Sequence, residues 1–524
     1  MLVRFIRRSI AASRHFSAQA AAEKVSRTGA PARNNPGSGG GIGGGGGGGR
    51  DTLGKRLLSL VYPKRSAVIA IRKWKEEGRT VRKYELNRVV RELRKLKRYK
   101  HALEVCEWMT LQKDTKLQAG DYAVHLDLIS KVRGINSAEK FFEDLPDRMK
   151  DLFTCSALLH NYVQNNLFAK AEALMGKMSE CGLLKNPLPY NHMLSLYISN
   201  SQLEKVPGVI EELMKNTSPD IVTYNLWLTV CASQNDVESA EKVLLELKKA
   251  KLELDWVTNS TLTNLYIKSG FTEKAASTLK EMEKMASRKN RVAYSSLLSL
   301  HTNMGDKEGV HRIWKKMKSR FRKMNDAEYS CMISSLLKLK ELKEAENLYT
   351  EWESVSGTGD VRVSNLLLAA YVNRDQMEMA DKFYDRMVQK GISPCYTTWE
   401  LLTWGYLKQK QMGKVLEYFE KAVTSVKKWD HDEKLVREVF KMIEEQGDVE
   451  GAEELLGILR NAGYVNTGLY NSLLRTYAKA GKMPLLVEER MEKDHVQLDQ
   501  ETRKLIKITS KMCVSEVSST FLKQ

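Results

Sequence analysis

The chain has 524 residues, of which 84 are Lys or Arg and 65 are Asp or Glu, and its formal net charge is +19. With 42% hydrophobic residues and only ten prolines, the composition excludes a wholly disordered chain. No apolar run approaches the roughly 20 residues that cross a bilayer, and seven scattered cysteines without a CxxC pair exclude a disulfide scaffold or a zinc ribbon. The positive excess favours a polyanionic partner, nucleic acid first and an anionic membrane surface second.

The first 22 residues are rich in arginine, alanine and serine and contain no acidic residue. This composition predicts an organelle transit peptide over residues 1–22, because a secretory signal would need a longer apolar stretch. The run Arg14–Ser17 (Arg-His-Phe-Ser) resembles the cleavage pattern of plant mitochondrial presequences. We therefore predict the mitochondrial matrix as the location, with the chloroplast second and an untargeted basic tail as the alternative.

Residues 23–50 contain an almost unbroken glycine run from Gly37 to Gly49. Glycine has the most backbone freedom to lose on folding, so this segment is predicted to be a flexible linker. A phosphate-binding loop is the alternative, but no Gly-Lys-Ser/Thr follows the run and no predicted strand precedes it.

Residues 51–121 are predicted to form a basic helical region that includes a first, degenerate repeat. Between residues 55 and 100 there are 17 Lys or Arg and four acidic residues. An ordinary solvated helix face is one interpretation, but so large an excess of positive charge favours a surface that contacts phosphates. The residues assigned to that surface are Arg91, Arg94, Lys95 and Lys97.

Further along, the sequence repeats with a period of about 35 residues. A small apolar residue marks each second helix, at Ala171, Val206, Ala240, Ala275, Val310, Ala345, Ala380, Val415 and Ala452. An aromatic residue opens the preceding helix at Tyr190, Tyr224, Tyr294, Tyr329, Trp399 and Tyr470, with Asn259 and Ser364 in the same register. Each period therefore predicts two amphipathic helices joined by a turn. Since neither helix can bury its apolar stripe alone, the hairpins are expected to stack into a single superhelical array.

Residues Pro219–Asn225 (PDIVTYN), followed by Ala240–Val243 (AEKV), resemble the consensus of pentatricopeptide repeats, as do Lys289–Ser295 and Tyr470–Leu474. Tetratricopeptide repeats are the alternative, but their Trp-Leu-Gly core is not found at this period. The resemblance covers residues 83–499 and implies an all-α fold, a right-handed superhelical solenoid of helix-turn-helix repeats of about 35 residues. Because the units stay close to 35 residues in length, the resemblance implies the P class of plant organellar members.

The resemblance also sets the expected unit boundaries. Twelve units are expected to start near residues 83, 122, 152, 187, 221, 256, 291, 326, 361, 396, 433 and 467, the first long and the second short by about five residues. The array is assigned to residues 122–499, followed by a C-terminal helix and polar tail at residues 500–524.

A short polar side chain follows the aromatic marker in seven successive units, and we call this position the slot. The slot residues are Ser156, Asn191, Asn225, Ser260, Ser295, Ser330 and Asn365. The resemblance implies that this residue and the last residue of the unit, here called the end residue, read one base of single-stranded RNA. The end residues are Asn186, Asp220, Asp255, Asn290, Asn325, Asp360 and Cys395. The alternative is that these Asp and Asn residues only cap the next helix.

The combinations of slot and end residues match the family's purine-favouring and uracil-favouring pairs. The resemblance implies that the pairs from Ser156/Asn186 to Ser330/Asp360 read A-U-U-A-A-G from the 5′ end, with a pyrimidine at Asn365/Cys395. Outside this window the sequence places Leu126, Glu400 and Arg437 in the slot, whereas Asn471/Asp499 returns to the pattern.

Nothing in the sequence predicts catalysis. The nine histidines form no HExxH, no zinc-deaminase motif is complete, and no aspartate cluster suits a metal-dependent nuclease, so neither a metal nor a cofactor is predicted. The resemblance implies sequence-selective binding of single-stranded RNA in mitochondrial RNA stability, processing, splicing or translation. The alternatives are a structural component of the mitochondrial ribosome, in contact with ribosomal RNA and ribosomal proteins, and a protein–protein scaffold.

Overall fold

The computed structural model describes residues 51–60, 66–112, 114–286, 290–426, 429 and 432–514. These residues form 27 α-helices in two compact units, which divide between Met285 and Ala286. The predicted transit peptide and linker lie outside the described residues, as do residues 515–524 of the predicted tail.

In the first unit the helices form successive antiparallel hairpins. They are Leu53–Leu58, Ala67–Glu76, Lys83–Lys95, Tyr99–Thr110, Ala119–Arg133, Ile135–Glu143, Leu152–Gln164, Phe168–Glu180, Pro187–Ser199, Val206–Asn216, Ile221–Gln234, Val237–Lys249, Trp256–Lys268 and Thr272–Met285. Two short 3₁₀ helices, Asp147–Met149 and Leu203–Lys205, lie between them.

The second unit continues the same alternation. Its helices are Arg291–Asn303, Lys307–Arg320, Asp326–Lys338, Leu342–Val355, Val361–Asn373, Met377–Gln389, Tyr396–Lys408, Met412–Thr424, Glu433–Gln446, Val449–Asn461, Thr467–Ala480, Val487–Lys493 and Gln500–Thr509. The two-residue strands Lys482–Met483 and Cys513–Val514 pair in parallel. The helix Gln500–Thr509 lies where the C-terminal helix was predicted.

The marker residues of the repeat lie in the core. The alanines and valines at the second-helix marker are almost all fully buried, as are Tyr190, Tyr294 and Tyr470 at the first-helix marker, each 0% exposed. The apolar stripe of each hairpin is therefore buried only by its neighbours, which is the packing expected of a repeat array. The predicted all-α solenoid of helix-turn-helix repeats is confirmed within each unit.

Hydrogen bonds between a tyrosine and an acid also join adjacent repeats. The hydroxyl of Tyr197 donates to Glu172 Oε1 over 2.8 Å, and that of Tyr371 donates to Glu346 Oε1 over 2.7 Å. In both pairs, burial and the hydrogen-bonded carboxylate raise the pKa of the tyrosine well above its ordinary value. The same contact joins Tyr406 to Asp381 and Tyr477 to Glu453. The acid follows the small marker residue directly, so one short sequence supplies both the close packing and the hydrogen bond.

The structure corrects one repeat. Its first helix is Ala119–Arg133, so the repeat spans residues 119–151 and the predicted boundary between residues 121 and 122 falls inside this helix. Its second helix, Ile135–Glu143, has only nine residues, and Gly134 alone, with φ of +90°, separates the two helices. Glycine adopts this backbone conformation without strain, and this allows a turn of a single residue. The missing length therefore lies in the turn and the second helix.

Elsewhere the predicted unit starts coincide with the first residue of a helix, from Lys83 to Thr467. Many of these helices follow an Asp or Asn that caps them, as Asp151 does by accepting the N–H of Phe153 over 2.9 Å. Within the described ranges, no helix combines the length and the apolar character that crossing a bilayer requires.

Candidate nucleic-acid interface

Each slot residue is the fifth residue of a first helix, and each end residue is the N-cap of the first helix of the next repeat. Asn191, for example, lies on the helix Pro187–Ser199, whereas Asp220 caps the helix Ile221–Gln234. Consecutive first helices pack against each other within a unit, and this packing brings a slot residue close to its end residue.

One predicted pair is divided between the two units. Ser260 belongs to the first unit, where it is half-buried on the helix Trp256–Lys268. Asn290 belongs to the second unit, where it caps the helix Arg291–Asn303.

Six of the seven predicted end residues, Asn186 to Asp360, cap a helix through their side chains. Each side chain accepts a hydrogen bond from an N–H group of the first helical turn at 2.8–3.1 Å. The capping interpretation is therefore correct for their position. It does not exclude a second contact, because a carboxylate or amide oxygen has further lone pairs to offer.

At the predicted asparagine slots Asn191 and Asn225, the end residue makes that second contact. Asn191 Nδ2 donates to Asp220 Oδ1 over 3.0 Å, and Asn225 Nδ2 donates to Asp255 Oδ1 over 3.3 Å. In each pair a single carboxylate thus caps one helix and holds the amide of the preceding repeat. Helix capping and the contact with the slot residue are thus combined in one side chain.

The outer asparagine slots show the same geometry. Asn471 Nδ2 lies 3.4 and 3.2 Å from the two carboxylate oxygens of Asp499. Asn365 Nδ2 lies 3.5 Å from Cys395 Sγ, and because sulfur is a weak acceptor this contact is the weakest of the set. Glu400 and Arg437 are the fifth residues of their helices and thus do occupy the slot.

Serine slots are different. Ser156 Oγ is buried and has no hydrogen-bond partner among the residues described, and Ser295 Oγ contacts only the carbonyl of Arg291 on its own helix, at 3.4 Å. Ser330 is half-buried on the helix Asp326–Lys338. Within the second unit, as within the first, no hydrogen bond joins a described slot serine to its end residue. The slot serine is therefore not fixed by the next repeat.

A third residue of the asparagine clusters was missed by the sequence analysis. Thr223 Oγ1 lies 2.8 Å from Asn191 Oδ1, and Thr258 Oγ1 lies 2.6 Å from Asn225 Oδ1. Both threonines are the third residue of the following first helix and are fully buried. The signal that could have revealed them is the spacing of these threonines, which follows the period of the repeat.

Two further corrections concern the N-terminal end of the array. Asn87 is the fifth residue of the helix Lys83–Lys95, and its Nδ2 donates to Asp121 Oδ1 over 3.0 Å, although it was not among the predicted slot residues. Since the next first helix begins at Ala119, its slot residue is Ala123 and not Leu126. Leu126 is 0% exposed and belongs to the core.

The basic residues predicted to contact phosphates differ in their surroundings. Arg91, Lys95 and Lys97 are exposed, and Lys95 Nζ pairs with Glu92 over 2.8 Å. Exposed pairs of this kind contribute little to stability and are easily exchanged for another anion. These three side chains are therefore accessible to a phosphate group.

Arg94 contacts a buried carboxylate. Its guanidinium lies 2.8 Å from the carboxylate of Asp127, which is 5% exposed and is also bound by Lys131 over 3.0 Å. Burial works to raise the pKa of Asp127, but the charges of Lys131 and Arg94 hold it below its ordinary value. In the protein without RNA, Arg94 therefore compensates the buried charge of Asp127.

This geometry defines a helical-repeat protein in which polar residues recur at one position of successive hairpins. The profile of the pentatricopeptide repeat domain matches residues 209–269, and that of the PPR repeat matches residues 153–183, 260–285, 292–320, 329–355 and 363–392. The chain is 64% identical to pentatricopeptide repeat-containing protein At4g02820, mitochondrial, of Arabidopsis thaliana, over 99% of each chain. It is 34% identical to At2g20710 of the same organism, also named mitochondrial, over 82% of this chain and 88% of the relative. The chain belongs to the pentatricopeptide repeat family.

The predicted mitochondrial location is confirmed by the 64% identical relative, which is a mitochondrial protein and matches along nearly its whole length. Among solved structures, the chain is similar to the pentatricopeptide repeat protein PPR10 in complex with an 18-nt psaJ RNA element. That match has 17% identity, covers 84% of this chain and 68% of the other, and has a TM-score of 0.48.

Proposed function

We propose that this protein binds single-stranded RNA sequence-selectively and acts in mitochondrial post-transcriptional RNA metabolism. The observation that carries the proposal is the hydrogen bond between slot and end residues, as in Asn191 and Asp220, because it fixes an amide at the same place in several repeats. After that bond each asparagine Nδ2 retains one N–H, which can donate to the oxygen of a pyrimidine edge. The net charge of +19 supplies attraction that is independent of sequence.

The serine slots support the other half of the proposal, a preference for purines. The hydroxyl of Ser156 is buried without a partner in the described part of the chain, an arrangement that costs free energy until a donor or acceptor arrives. A base edge would provide that partner, and the short serine side chain leaves a purine more room than asparagine does. The pairs from Ser156/Asn186 to Ser330/Asp360 are accordingly proposed to read A-U-U-A-A-G, with a pyrimidine at Asn365/Cys395.

The basic N-terminal region is proposed to contact the phosphate backbone, chiefly through Arg91 and Lys97. Lys95 joins them by exchanging Glu92 for a phosphate, and Arg94 contributes through its positive field while it remains bound to Asp127. Phosphate contacts fix the position of the RNA without selecting bases. The proposal assigns no reaction to the chain, so any cleavage or splicing of the bound transcript belongs to a partner.

Selection from a randomised RNA pool tests this proposal. We expect the full chain to enrich A-U-U-A-A-G in that order, with affinity that falls steeply as salt is raised. If the selected RNAs show no preferred base at any position, sequence-selective binding is wrong. Sedimentation of mitochondrial extract then tests the ribosomal alternative, because a structural component would co-migrate with a ribosomal subunit in stoichiometric amount.

A further inference from the structure

The third residue of the helix that an end residue caps differs between two kinds of repeat. Next to four asparagine slots this third helical residue is threonine, namely Thr223, Thr258, Thr398 and Thr502. In the first helices that follow the serine slots along the chain, this residue is Pro189, Ala293, Glu328 or Val363. At three of these four places the threonine also closes a capping box by accepting the N–H of the end residue. Glu328 closes the same box after Ser295, so capping alone does not require threonine. Among these eight slots the kind of side chain at this place therefore follows the kind of slot. Outside them, Asp121 takes this place after Asn87, and Thr154 takes it after Ala123.

In all four asparagine clusters the threonine hydroxyl lies within hydrogen-bond distance of the amide oxygen. The Oγ1–Oδ1 distances are 2.8 Å for Thr223 and Asn191, 2.6 Å for Thr258 and Asn225, 2.9 Å for Thr398 and Asn365, and 2.7 Å for Thr502 and Asn471. All four threonines are 0% exposed, so water does not compete for the hydroxyl.

The amide of asparagine has two ends of nearly equal size and opposite hydrogen-bonding character. The carboxylate of Asp255 accepts from Nδ2. The hydroxyl of Thr258 has one proton and lies 2.6 Å from Asn225 Oδ1 and 3.0 Å from Asp255 Oδ1. Donation to the nearer oxygen, that of Asn225, demands the same orientation of the amide as Asp255 does. In the rotated amide the oxygen would face the carboxylate, which repels it. Without the threonine hydroxyl, one of these two constraints is lost and Oδ1 is left without its buried donor.

We propose that the threonine at the third position of the first helix after each of these four asparagine slots is a positioning residue that sets the base preference of that asparagine. It acts by fixing the amide with Nδ2 towards the end residue, so that one N–H and one lone pair of known direction remain for a pyrimidine. The inference rests on the proposed function, because it concerns the same slots. It adds that each base is selected by three residues from two repeats.

The test compares variants of the full chain on RNAs that carry each of the four bases at the second and third positions. In Thr258→Val the hydroxyl is replaced by a methyl group of similar volume, and we expect the preference for uracil over the other bases to fall about fivefold at the third position, the effect of losing one buried hydrogen bond. The second position, which Asn191 reads with Thr223, should not change. Thr223→Val should show the reverse, with loss at the second position alone.

Two controls separate positioning from general damage. Thr258→Ser keeps the hydroxyl and should keep the preference, while Val363→Thr places a hydroxyl beside the serine slot Ser330 and should leave the sixth base unchanged. Melting curves of all variants establish that they fold, and Thr223→Val carries the test if Thr258→Val does not.

The outcomes distinguish the two levels of the proposal. If the wild type prefers uracil at both positions and Thr258→Val and Thr223→Val retain that preference, the positioning role is wrong and the proposed function stands. An equal loss at all positions in either variant would also overturn it, since it would indicate damage to the array. If the wild type itself shows no preference at either position, the proposed function fails and this inference fails with it.

Discussion

The repeats with an asparagine slot and those with a serine slot share one helical framework but differ in how the slot is joined to the next repeat. Asn191 contacts both Asp220 and Thr223 of the following repeat, whereas the oxygen of Ser156 contacts no polar group in the described part of the chain. First helices of both kinds are capped, and the small marker residues of both are buried. The difference teaches that framework and slot are separate: the same kind of hairpin carries either an asparagine that is bonded to the next repeat or a serine that is not.

The largest expected effect comes from converting one kind of slot into the other. Changing Asn225→Ser together with Asp255→Asn should move the preference at the third base from uracil to adenine, with the ratio of the two affinities changing about thirtyfold, or ~2 kcal/mol. The physical reason is that the fixed amide donor is lost and a shorter side chain admits a purine. Selection from a randomised RNA pool by wild type and double variant is the measurement.

A matched control exists in the outer cluster. The same exchange at Asn471 and Asp499 lies outside the predicted six-base window and should leave the third base unchanged. If the Asn225/Asp255 variant still selects uracil at the third base, the pairs act as helix caps alone.

The two kinds of slot should also differ in the sign of a stability change. Asn191→Ala removes two hydrogen bonds between repeats and should lower the free energy of unfolding by about 2 kcal/mol. Ser156→Ala removes a buried hydroxyl without a partner and should leave stability unchanged or raise it slightly, by up to ~1 kcal/mol, while the preference for adenine at the first base is lost. Melting temperatures of the RNA-free variants, together with hydrogen exchange in the helix Ile221–Gln234, measure both. Equal destabilisation by the two variants would contradict the distinction.

The Asn365/Cys395 cluster lies between the two kinds, because its amide has the threonine donor but only a sulfur acceptor. Cys395→Asp should complete it and raise the preference for uracil at the seventh base about threefold, since a carboxylate accepts a stronger hydrogen bond than a thiol. Competition between RNAs that differ only at that base provides the measurement. Cys395→Ser, which adds a neutral oxygen, serves as control and should have a smaller effect; no response to the aspartate would show that the end residue does not matter here.

The smallest effect is expected outside the slots, where contributions should be independent of base. Arg91→Glu should reduce the slope of log affinity against log salt by about 0.7, the value of one phosphate contact on a single strand, and change no base preference. Titrations at several salt concentrations measure this slope. Arg94→Glu is the contrasting variant, because it would place a carboxylate beside buried Asp127 and should lower the melting temperature instead. A change of base preference in Arg91→Glu would show that this region takes part in selection.

Much of the fold followed from the sequence because each repeat carries its own markers. Buried marker residues such as Ala240 and Tyr224 recur with one period, and a capping Asp or Asn before a first helix marks where that helix begins. The start at residue 122 was wrong because the turn at Gly134 and the short second helix break the even spacing from which it was counted. Tyr122, as the fourth residue of its helix, keeps the register of the other repeats and marks the correct start at Ala119.

The candidate site was predictable only as far as it could be read along one repeat. Slot and end residues stand out as a polar pair at fixed spacing, but the dual contact of Asp220 with a helix terminus and an amide appears only when two repeats pack together. Thr223 was missed for the same reason, since along the chain it resembles an ordinary residue of a capped first turn and its contact is made with the repeat before.

The tyrosine–acid bonds limit how far local damage spreads along the repeats of a unit. The hydroxyl of Tyr197 donates to Glu172 and that of Tyr371 donates to Glu346, in each case in the preceding repeat, so each of these bonds couples nearest neighbours. Damage to one hairpin by oxidation, mutation or local melting is therefore confined, within a unit, to that hairpin and those beside it. In the proposed function each base is selected by residues of two repeats, so damage to one hairpin should cost recognition of two adjacent nucleotides and leave the others intact.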